Sequence, residues 1–326
     1  MPSDLVFVTG ATGFIGSHVT RALAAQGYQV RALVRRSGAK VDGAQTIESD
    51  MRRSGELASA IRGCRYLVHC AALYSFAPRD RRLMSEVNVA GTESLLEAAR
   101  IAGVERAVVT SSSSTVGPAA NGTPATETTF PRNSHRSAYH HSKLEQERAA
   151  LAARVPTVLV LPTSPVGPGD WKPTPTGRLV LDFARGRIPA RPSGSGGLNL
   201  VAVEDVAAAH VAALQLGNPR ERYLIGGENL SFDQVWDLLS EVTGRPAPTL
   251  RLPFAAALAA GYVDELRCRI LAKATPVVPL EGVRMSRERM FVDSSKAQRE
   301  LGYRAGSVRD ALARAIAWYR SNGYVN

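Results

Sequence analysis

Thr9-Gly10-Ala11-Thr12-Gly13-Phe14-Ile15-Gly16 is the stretch that indicates the fold of this 326-residue chain. An apolar run, Leu5–Thr9, precedes it, and a helical pattern, Phe14–Gln26, follows it. In a Gly-x-x-Gly-x-x-Gly turn, one glycine permits the tight bend, one lets the backbone approach a pyrophosphate, and one lets the helix pack on the strand. Free N–H groups at the helix start favour phosphate. An ordinary strand-to-helix turn is the alternative. We predict a dinucleotide site that includes Gly10, Thr12, Gly13, Phe14, Ile15 and Gly16.

Short apolar runs alternate with helical patterns through the first half of the chain. The predicted strands are Leu5–Thr9, Gln29–Val34, Arg65–Cys70, Ala107–Thr110 and Thr157–Leu161. The predicted helices are Phe14–Gln26, Glu56–Arg62, Glu86–Ala102 and Ser137–Ala152. Strands that are apolar throughout indicate a parallel sheet covered on both faces, and right-handed crossovers make it doubly wound. We therefore expect an α/β fold: a Rossmann doubly wound parallel sheet with a smaller C-terminal α/β substrate-binding part.

The pattern changes after Pro162, where proline and glycine cluster and predict loops. Further helices are predicted at Thr176–Arg185, Val203–Leu216, Phe232–Thr243, Phe254–Leu271 and Val308–Ser321. We expect residues 1–165 to form the NAD(P)-binding domain. Residues 166–326 would mainly bind substrate, with residues 198–216 returning to the sheet.

Composition narrows the function classes. A chain that is 44% hydrophobic and 21% charged is neither disordered nor, without an apolar run of about 18 residues, membrane-spanning. The net charge of +11 raises nucleic acid as a partner, but the arginines are spread along the chain rather than gathered in a basic arm. Three cysteines at non-metal spacing and no secretory leader point to the reducing cytoplasm. We expect no nucleic-acid partner and no metal.

The end of the second predicted strand bears on cofactor choice. An acidic residue there would hold the ribose hydroxyls of NAD(H), but this chain has Val34, Arg35 and Arg36. Arginine pairs with a 2′-phosphate, so we predict NADP(H) in preference to NAD(H), which stays an alternative. Asp50 is placed to accept from the adenine amino group, and a helix N-cap is its alternative role.

Tyr139 and Lys143 stand one helical turn apart, on one face of a predicted helix. Ser111–Ser114 follow a predicted strand at the sheet edge where ligands bind. A tyrosine with a free pKa of about 10 needs a neighbouring cation to exchange protons near neutral pH. A serine hydroxyl can orient the substrate oxygen. This set of residues indicates hydride transfer between a carbonyl and an alcohol.

Together these residues resemble an extended short-chain dehydrogenase/reductase over essentially the whole chain. The resemblance rests on Thr9–Gly16, Asp50, His69–Ala72, Asn88, Ser112, Tyr139 and Lys143. It implies that Ser112, Tyr139 and Lys143 are catalytic. The cofactor-binding residues that it adds to the glycine turn and the arginines are Asp50, Met51, Ala71, Ala72, Asn88, Tyr139, Lys143, Pro162 and Ser164.

A narrower resemblance is to the hopanoid-associated sugar epimerases, relatives of the dihydroflavonol 4-reductases. The segments that carry it are Lys172–Arg178, Leu198–Val201, Gly226–Leu230 and Val283–Met285. It implies a sugar-like, polyol or ketone substrate, small or lipid-linked, in hopanoid lipid metabolism. Ser113 and Ser114 are more polar than the small apolar pair usual in that group, which affects the expected substrate contacts.

Three functions follow as alternatives. The first is a reductase that exchanges NADP(H) with solution, and the second is an epimerase or dehydratase that retains its nucleotide. The third is a non-catalytic nucleotide sensor, a class that usually lacks the tyrosine or lysine present here. A homodimer through the helices around Asn88 and Tyr139 is a further expectation from the resemblance.

The predicted helix at Phe254–Leu271 has two interpretations. Extended to Lys273, it is apolar early and carries Arg267, Arg269 and Lys273 late, so it could lie peripherally on an anionic membrane. The alternative is a helix that covers the substrate pocket. Beside the catalytic pair, His140 and His141 are interpreted as surface or rim residues.

Overall fold

The computed structural model describes residues 4–75, 78–119, 122–130, 137–194, 196–271 and 280–325. Its first six strands are β1 (Leu5–Thr9), β2 (Gln29–Val34), β3 (Gln45–Glu48), β4 (Tyr66–His69), β5 (Arg106–Thr110) and β6 (Thr157–Pro162). The helices among them are α1 (Phe14–Ala25), α2 (Ser54–Ile61), α3 (Arg81–Met84), α4 (Gly91–Ile101) and α5 (Ala138–Ala152).

The second half of the chain contains shorter strands and more helices. The strands are β7 (Ser164–Val166), β8 (Arg191–Pro192), β9 (Gly197–Ala202), β10 (Arg222–Ile225), β11 (Glu228–Ser231), β12 (Arg251–Leu252) and β13 (Arg289–Met290). The helices are α6 (Pro175–Ala184), α7 (Val203–Leu216), α8 (Phe232–Thr243), α9 (Phe254–Ile270), α10 (Leu280–Met285), α11 (Ser295–Leu301) and α12 (Val308–Ser321).

Seven strands form one parallel sheet in the order β10-β6-β5-β4-β1-β2-β3. β2 and β3 extend the sheet on one side of β1, and β4, β5, β6 and β10 extend it on the other. This change of side between β1 and β4 creates a crevice at the carboxyl ends of these two strands. Parallel neighbours need crossover connections, and α-helices supply most of them, whereas residues 35–44 join β2 to β3 without a helix. The predicted doubly wound α/β sheet is confirmed.

Alternating side chains of β1 show how both sheet faces are covered. Leu5 and Phe7 pack with one apolar cluster that includes residues of α2 and α4. Val6 and Val8 pack with the opposite cluster, which includes residues of α1 and α7. All four side chains are buried, and this accounts for a strand that is apolar at every position.

The remaining strands form a smaller structure beside the main sheet. β9 pairs with β7, β11 and β13, and a third apolar cluster collects residues of α6, α8 and α12. Helix α7 packs against α1 of the main sheet. β10 is one of the two edge strands of the main sheet. The sequence analysis predicted no strand near residue 222.

The predicted helix Glu86–Ala102 is not one regular α-helix. Its first part, Ser85–Ala90, is π-helical and follows the short helix α3, whereas α4 begins only at Gly91. A π-helical turn inserts an extra residue and rotates the side chains that follow it. The turn contains the buried Asn88, whose contacts are described below.

Candidate active site

The glycine turn is closed too tightly for a side chain at its first glycine. Gly10 has a φ of +74°, and a Cβ atom there would lie 2.6 Å from the backbone nitrogen of Ala71. The Gly13 N–H donates to the Gly10 carbonyl over 2.8 Å. Thr12 and Gly13 are exposed and lead into the N-terminus of α1. The turn therefore leaves the approach to the first helical N–H groups open to a pyrophosphate.

The four serines after β5 have different environments. The Ser111 hydroxyl faces inward and donates to the Glu147 carboxylate on α5. The Ser112 Oγ atom accepts from the Ser114 N–H over 3.2 Å, which begins a short 3₁₀ turn. Ser112 also interacts with the Tyr139 side chain and lowers the pKa of its phenol. Of the two, Ser112 is the serine placed to act together with Tyr139.

Tyr139 lies in the first turn of α5, next to the carboxyl end of β5. Its ring packs edge-on against Tyr74, with 4.2 Å between the ring centroids. Burial raises the pKa of Tyr139 to about 12, although the hydrogen bond with Ser112 lowers it in part. The phenol is therefore protonated at neutral pH in this structure.

Lys143 follows one turn later and is buried. Its Nζ atom donates to the Thr110 carbonyl over 2.9 Å and to the Gln146 side-chain oxygen over 2.6 Å. Burial lowers the pKa of Lys143 to about 8, and the nearby Glu147 carboxylate opposes that shift. These two acceptors hold the ammonium group in one position.

Gln146 joins Lys143 to a buried polar network. Its amide nitrogen donates to the Thr92 hydroxyl over 3.0 Å, and Thr92 donates in turn to the Asn88 carbonyl over 2.7 Å. The Thr92 oxygen therefore accepts from His69 Nε2 as well, at 2.8 Å. His69 Nδ1 is left as the acceptor for the Thr9 hydroxyl at 2.6 Å.

This network ends at the glycine turn, because Thr9 is the residue before Gly10 and its hydroxyl also accepts from the Ala71 N–H at 3.4 Å. Burial lowers the pKa of His69 to about 3, helped by the positive charge of Lys143. His69 is therefore neutral, as the two-sided hydrogen bonding requires.

Glu147 forms a buried ion pair with Arg222, next to the serines that follow β5. Its Oε2 atom lies 3.0 Å from an Arg222 guanidinium nitrogen, and its Oε1 atom accepts from Thr115 over 2.7 Å as well as from Ser111. Arg222 also donates to the Thr115 hydroxyl over 3.1 Å. The Glu147 side chain is 6% exposed, so burial makes each of these partners necessary.

Asn88 supports the segment that follows β4. Its side-chain oxygen accepts from the Leu73 N–H over 2.7 Å, and its nitrogen donates to the Leu73 carbonyl and to the Ser142 hydroxyl, both over 3.0 Å. The side chain is fully buried. Asn88, predicted among the cofactor-binding residues, thus lies behind the cofactor-lining segment and positions it instead of facing a ligand.

Arg35 and Arg36 are exposed at the end of β2. Among the described residues, no carboxylate lies within ion-pair distance of either guanidinium. Both arginines are thus available to an incoming phosphate. The positive charge of Arg35 also acts on Asp50.

The Asp50 carboxylate makes its main contacts with Arg52. The two side chains form an ion pair of 2.6 Å, and Asp50 also accepts from the Arg52 N–H over 3.0 Å. The hydrogen bonds from Arg52 lower the pKa of Asp50 to about 2. Asp50 does not cap α2, whose N-cap residue is Arg53. Met51, the residue after Asp50, has its side chain buried in the core.

The other predicted cofactor residues surround the same end of the sheet. Ala71 is half-buried and Ala72 is exposed directly after β4, and Pro162 closes β6. Ser164 begins β7 opposite Leu200. Phe14 and Ile15 are half-buried in the first turn of α1, where the Phe14 ring packs edge-on against His18.

The prediction that His140 is a surface or rim residue is wrong, whereas His141 is exposed. His140 precedes Lys143 by three residues. It therefore lies on the same face of α5 as Lys143, Gln146 and Glu147, and that face packs against the sheet.

Sequence reasoning missed Gln146, Glu147 and Arg222. The available signal for the first two was their helical spacing from Tyr139 and Lys143, which places all four residues on one face. No local pattern marked Arg222, because its partners Thr115 and Glu147 lie in the turn after β5 and on α5, far away in the chain.

Comparison with known proteins identifies the family of the chain. The model of the NAD dependent epimerase/dehydratase family matches residues 6–226. The chain is 41% identical to a candidate dihydroflavonol 4-reductase from Synechocystis, covering 99% of this chain and 96% of that protein. It is 36% identical to sterol demethylase protein B from Methylococcus capsulatus, covering 98% and 99% respectively.

Solved structures show the same relationship. The crystal structure of gox2253 has a TM-score of 0.86 and 38% identity, covering 99% of this chain and all of that one. A nucleoside-diphosphate-sugar epimerase from Pseudomonas aeruginosa has a TM-score of 0.80 and 25% identity, covering 99% of both chains. Reductase and epimerase names thus occur together among the relatives. This chain is an NAD(P)-dependent enzyme and belongs to the NAD-dependent epimerase/dehydratase family, the extended short-chain dehydrogenase/reductases.

Proposed function

We propose that this enzyme is an NADP(H)-dependent reductase that interconverts a ketone and a secondary alcohol. The proposal depends on one observation: the side chains of Ser112 and Tyr139 interact at the carboxyl edge of the sheet, near the glycine turn, and Ser112 lowers the pKa of Tyr139 in part. Two hydroxyls that converge there can both donate to one carbonyl oxygen. Lys143, one helical turn away, adds a positive charge held by the protein.

A bound nicotinamide supplies or accepts the hydride. In reduction, Ser112 and Tyr139 donate hydrogen bonds to the carbonyl oxygen, and Tyr139 gives up its proton as that oxygen becomes negative. The Lys143 ammonium then stabilises the tyrosinate until solvent returns the proton. Because burial raises the pKa of Tyr139 to about 12, the phenol starts in the protonated form that reduction requires.

The preference for NADP(H) is supported by charge at the end of β2. Arg35 and Arg36 are exposed, and the residue before them is the buried Val34 instead of a carboxylate. An arginine forms strong charge-assisted hydrogen bonds with a phosphate. The Gly10–Gly16 turn fits the pyrophosphate, since a Cβ atom at Gly10 would fill the close approach to Ala71.

The substrate that we propose is a largely apolar ketone. The relatives named for reduction of a dihydroflavonol and demethylation of a sterol support this class over a sugar nucleotide. The polar Ser113 and Ser114 next to Ser112 suit a substrate with one or more oxygen functions near its reacting carbon.

Nucleotide titration tests the cofactor. We expect NADPH to bind about tenfold more tightly than NADH, and Arg35→Asp to abolish that preference. Arg304→Asp, at an exposed arginine in the C-terminal half, is the matched control and should keep the preference. Equal binding of the two nucleotides by the unmodified enzyme would contradict the NADP(H) assignment.

A sugar epimerase or dehydratase is the second candidate, favoured by the structural match to a nucleoside-diphosphate-sugar epimerase. Denaturing the purified enzyme and identifying the released nucleotide separates the two. Tightly retained NAD⁺, with no net oxidation of added NADPH by any ketone, would favour this candidate. For either reaction, Tyr139→Phe should lower turnover by at least about a hundredfold, with nucleotide binding preserved.

A further inference from the structure

Helix α9 exposes its more apolar side. Tyr262, Leu266 and Ile270 follow one another at four-residue spacing and form one stripe, with Val263 beside it. All four side chains are exposed; Val263 is 69% and Ile270 73% accessible. Water-facing apolar groups of this size normally lie in a core or an interface. We name these four residues the α9 face.

The inward side of the same helix is small or charged. Its buried residues are Ala257, Gly261 and Asp264. The Asp264 carboxylate is neutralised by Arg267 at 2.7 Å. The helix therefore packs on the protein through its less apolar side. Within the ranges that the structure describes, the α9 face stays exposed, which is typical of an apolar surface that meets a partner.

The rim of the α9 face is cationic. The Arg284 guanidinium donates to the Tyr262 hydroxyl over 3.2 Å, and the Arg287 guanidinium lies 4.7 Å from the centre of the Phe254 ring. Arg269 is exposed and pairs with the half-buried Glu265. The arginines thus face solvent, while the carboxylates of α9 are shielded by the protein and by their arginine partners.

We propose that the α9 face docks on the surface of an anionic lipid bilayer, with the helix axis parallel to the membrane. Aliphatic side chains flanked by tyrosine and arginine suit the boundary between acyl chains and headgroups. The net charge of +11 adds long-range attraction to an anionic surface. This inference goes beyond the proposed function and does not depend on which reaction the enzyme catalyses.

The charge distribution favours lipid over a second copy of the chain. Symmetric pairing of two α9 faces would bring the rim arginines of both copies together. Lipid phosphates would instead meet them with opposite charge. The membrane binding that we propose is peripheral. Among the residues that the structure describes, no helix has the length and apolar character of a membrane span.

Vesicle co-sedimentation of the full chain tests the proposal. We expect binding to phosphatidylglycerol vesicles at low ionic strength and much weaker binding to phosphatidylcholine vesicles. The triple variant Val263→Ser/Leu266→Ser/Ile270→Ser should lose at least about tenfold in partitioning. Arg284→Gln and Arg287→Gln should each lose roughly fivefold on the anionic vesicles.

The matched control is Ile101→Ser, which removes an exposed aliphatic side chain, 61% accessible, from α4. It should bind vesicles as the unmodified enzyme does. NADPH binding by every variant verifies that the fold is retained. Sedimentation without lipid measures self-association of the same samples.

A second measurement does not depend on removing apolar groups. In Val263→Trp, acyl-chain-brominated phosphatidylglycerol should quench the added tryptophan fluorescence, and in Ile101→Trp it should not. Lack of binding by the unmodified enzyme, unchanged binding by the triple variant, or equal quenching at both positions would overturn the proposal. So would a dimer that the triple variant dissociates.

Discussion

The Lys143 ammonium lies 2.6 Å from the side-chain oxygen of Gln146, within a buried network that continues through Thr92 and His69 to Thr9. The network connects the proton-transfer side of the site to the glycine turn. A polar chain in which each donor has an acceptor is stiff, because breaking one bond leaves a buried group unsatisfied. We therefore propose that Gln146 is a positioning residue for Lys143.

We predict that Gln146→Leu lowers kcat by about tenfold and moves the alkaline limb of the pH–rate profile to lower pH. The lysine already has a pKa lowered to about 8, and loss of an acceptor disfavours its charged form further. Gln146→Glu should move the limb to higher pH, since a carboxylate favours the ammonium. Gln26→Leu, at an exposed glutamine, is the control.

A profile that keeps its alkaline limb in both Gln146 variants would show that Gln146 does not act through Lys143. A purely structural role would lower the activity of the two variants alike, without moving the limb in opposite directions.

Glu147 offers a stability test on the same helix. Glu147→Ala removes the partner of Arg222 and the acceptor of Ser111 and Thr115, and should lower the free energy of unfolding by about 3 kcal/mol. Glu145→Ala removes an exposed ion pair with Arg148, and should cost less than about 0.5 kcal/mol. Urea denaturation at pH 7.5 measures both. Similar losses in the two variants would refute the role assigned to the buried pair.

His210 makes stability depend on pH. Its Nδ1 atom donates to the Val206 carbonyl and its Nε2 atom accepts from the Thr110 hydroxyl, both over 2.7 Å. Burial lowers the pKa of His210 to about 4 from an ordinary value near 6.5. The unfolded chain therefore binds the proton first as the pH falls. Stability is present above pH 6.5 and is lost progressively between 6.5 and about 4.

We expect the unmodified enzyme to lose about 2 kcal/mol through this histidine between pH 7.5 and 5. His69, with its pKa lowered to about 3, adds a loss of the same sign. His210→Gln should flatten part of the dependence measured by denaturant unfolding. His141→Gln, at an exposed histidine, should not. Equal slopes for His210→Gln and the unmodified enzyme would contradict this account.

The glycine turn gives a prediction about nucleotide binding. Gly10→Ala would force a Cβ atom against the backbone of Ala71 at a left-handed φ, so the turn must open and NADPH affinity should fall by at least about a hundredfold. Gly27→Ala also substitutes a glycine with positive φ, but nothing lies within 4 Å of the new atom. Isothermal titration with NADPH should show near-normal affinity for that control.

Much of the main sheet could be predicted because most of its strands are apolar over most of their length. Predicted Gln29–Val34 is the observed strand, and the ends of Leu5–Thr9 also agree. The edge strand β10 escaped prediction because Arg222–Ile225 is short and starts with a charged residue. The π-helical turn at Ser85–Ala90 does not disturb the apolar spacing enough to be visible in sequence.

The residues of the candidate site also differ in whether the sequence alone could predict them. Ser112, Tyr139 and Lys143 could be predicted together because the expected chemistry depends on their local spacing in sequence. Gln146 has its partner Thr92 more than fifty residues away, and Glu147 has Arg222 even further along the chain. Such contacts exist only once the sheet has assembled. Burial of His140 likewise depends on which side of α5 meets the sheet.

The pairing of Glu147 with Arg222 has a consequence for the order in which the enzyme is made. A nascent chain that ends before residue 222 already contains the glycine turn, Ser112, Tyr139 and Lys143. It would nevertheless hold a buried carboxylate without its cation. We therefore expect helix α5 to pack stably on the sheet only in a chain that includes β10, and a chain truncated upstream of that strand to be unstable.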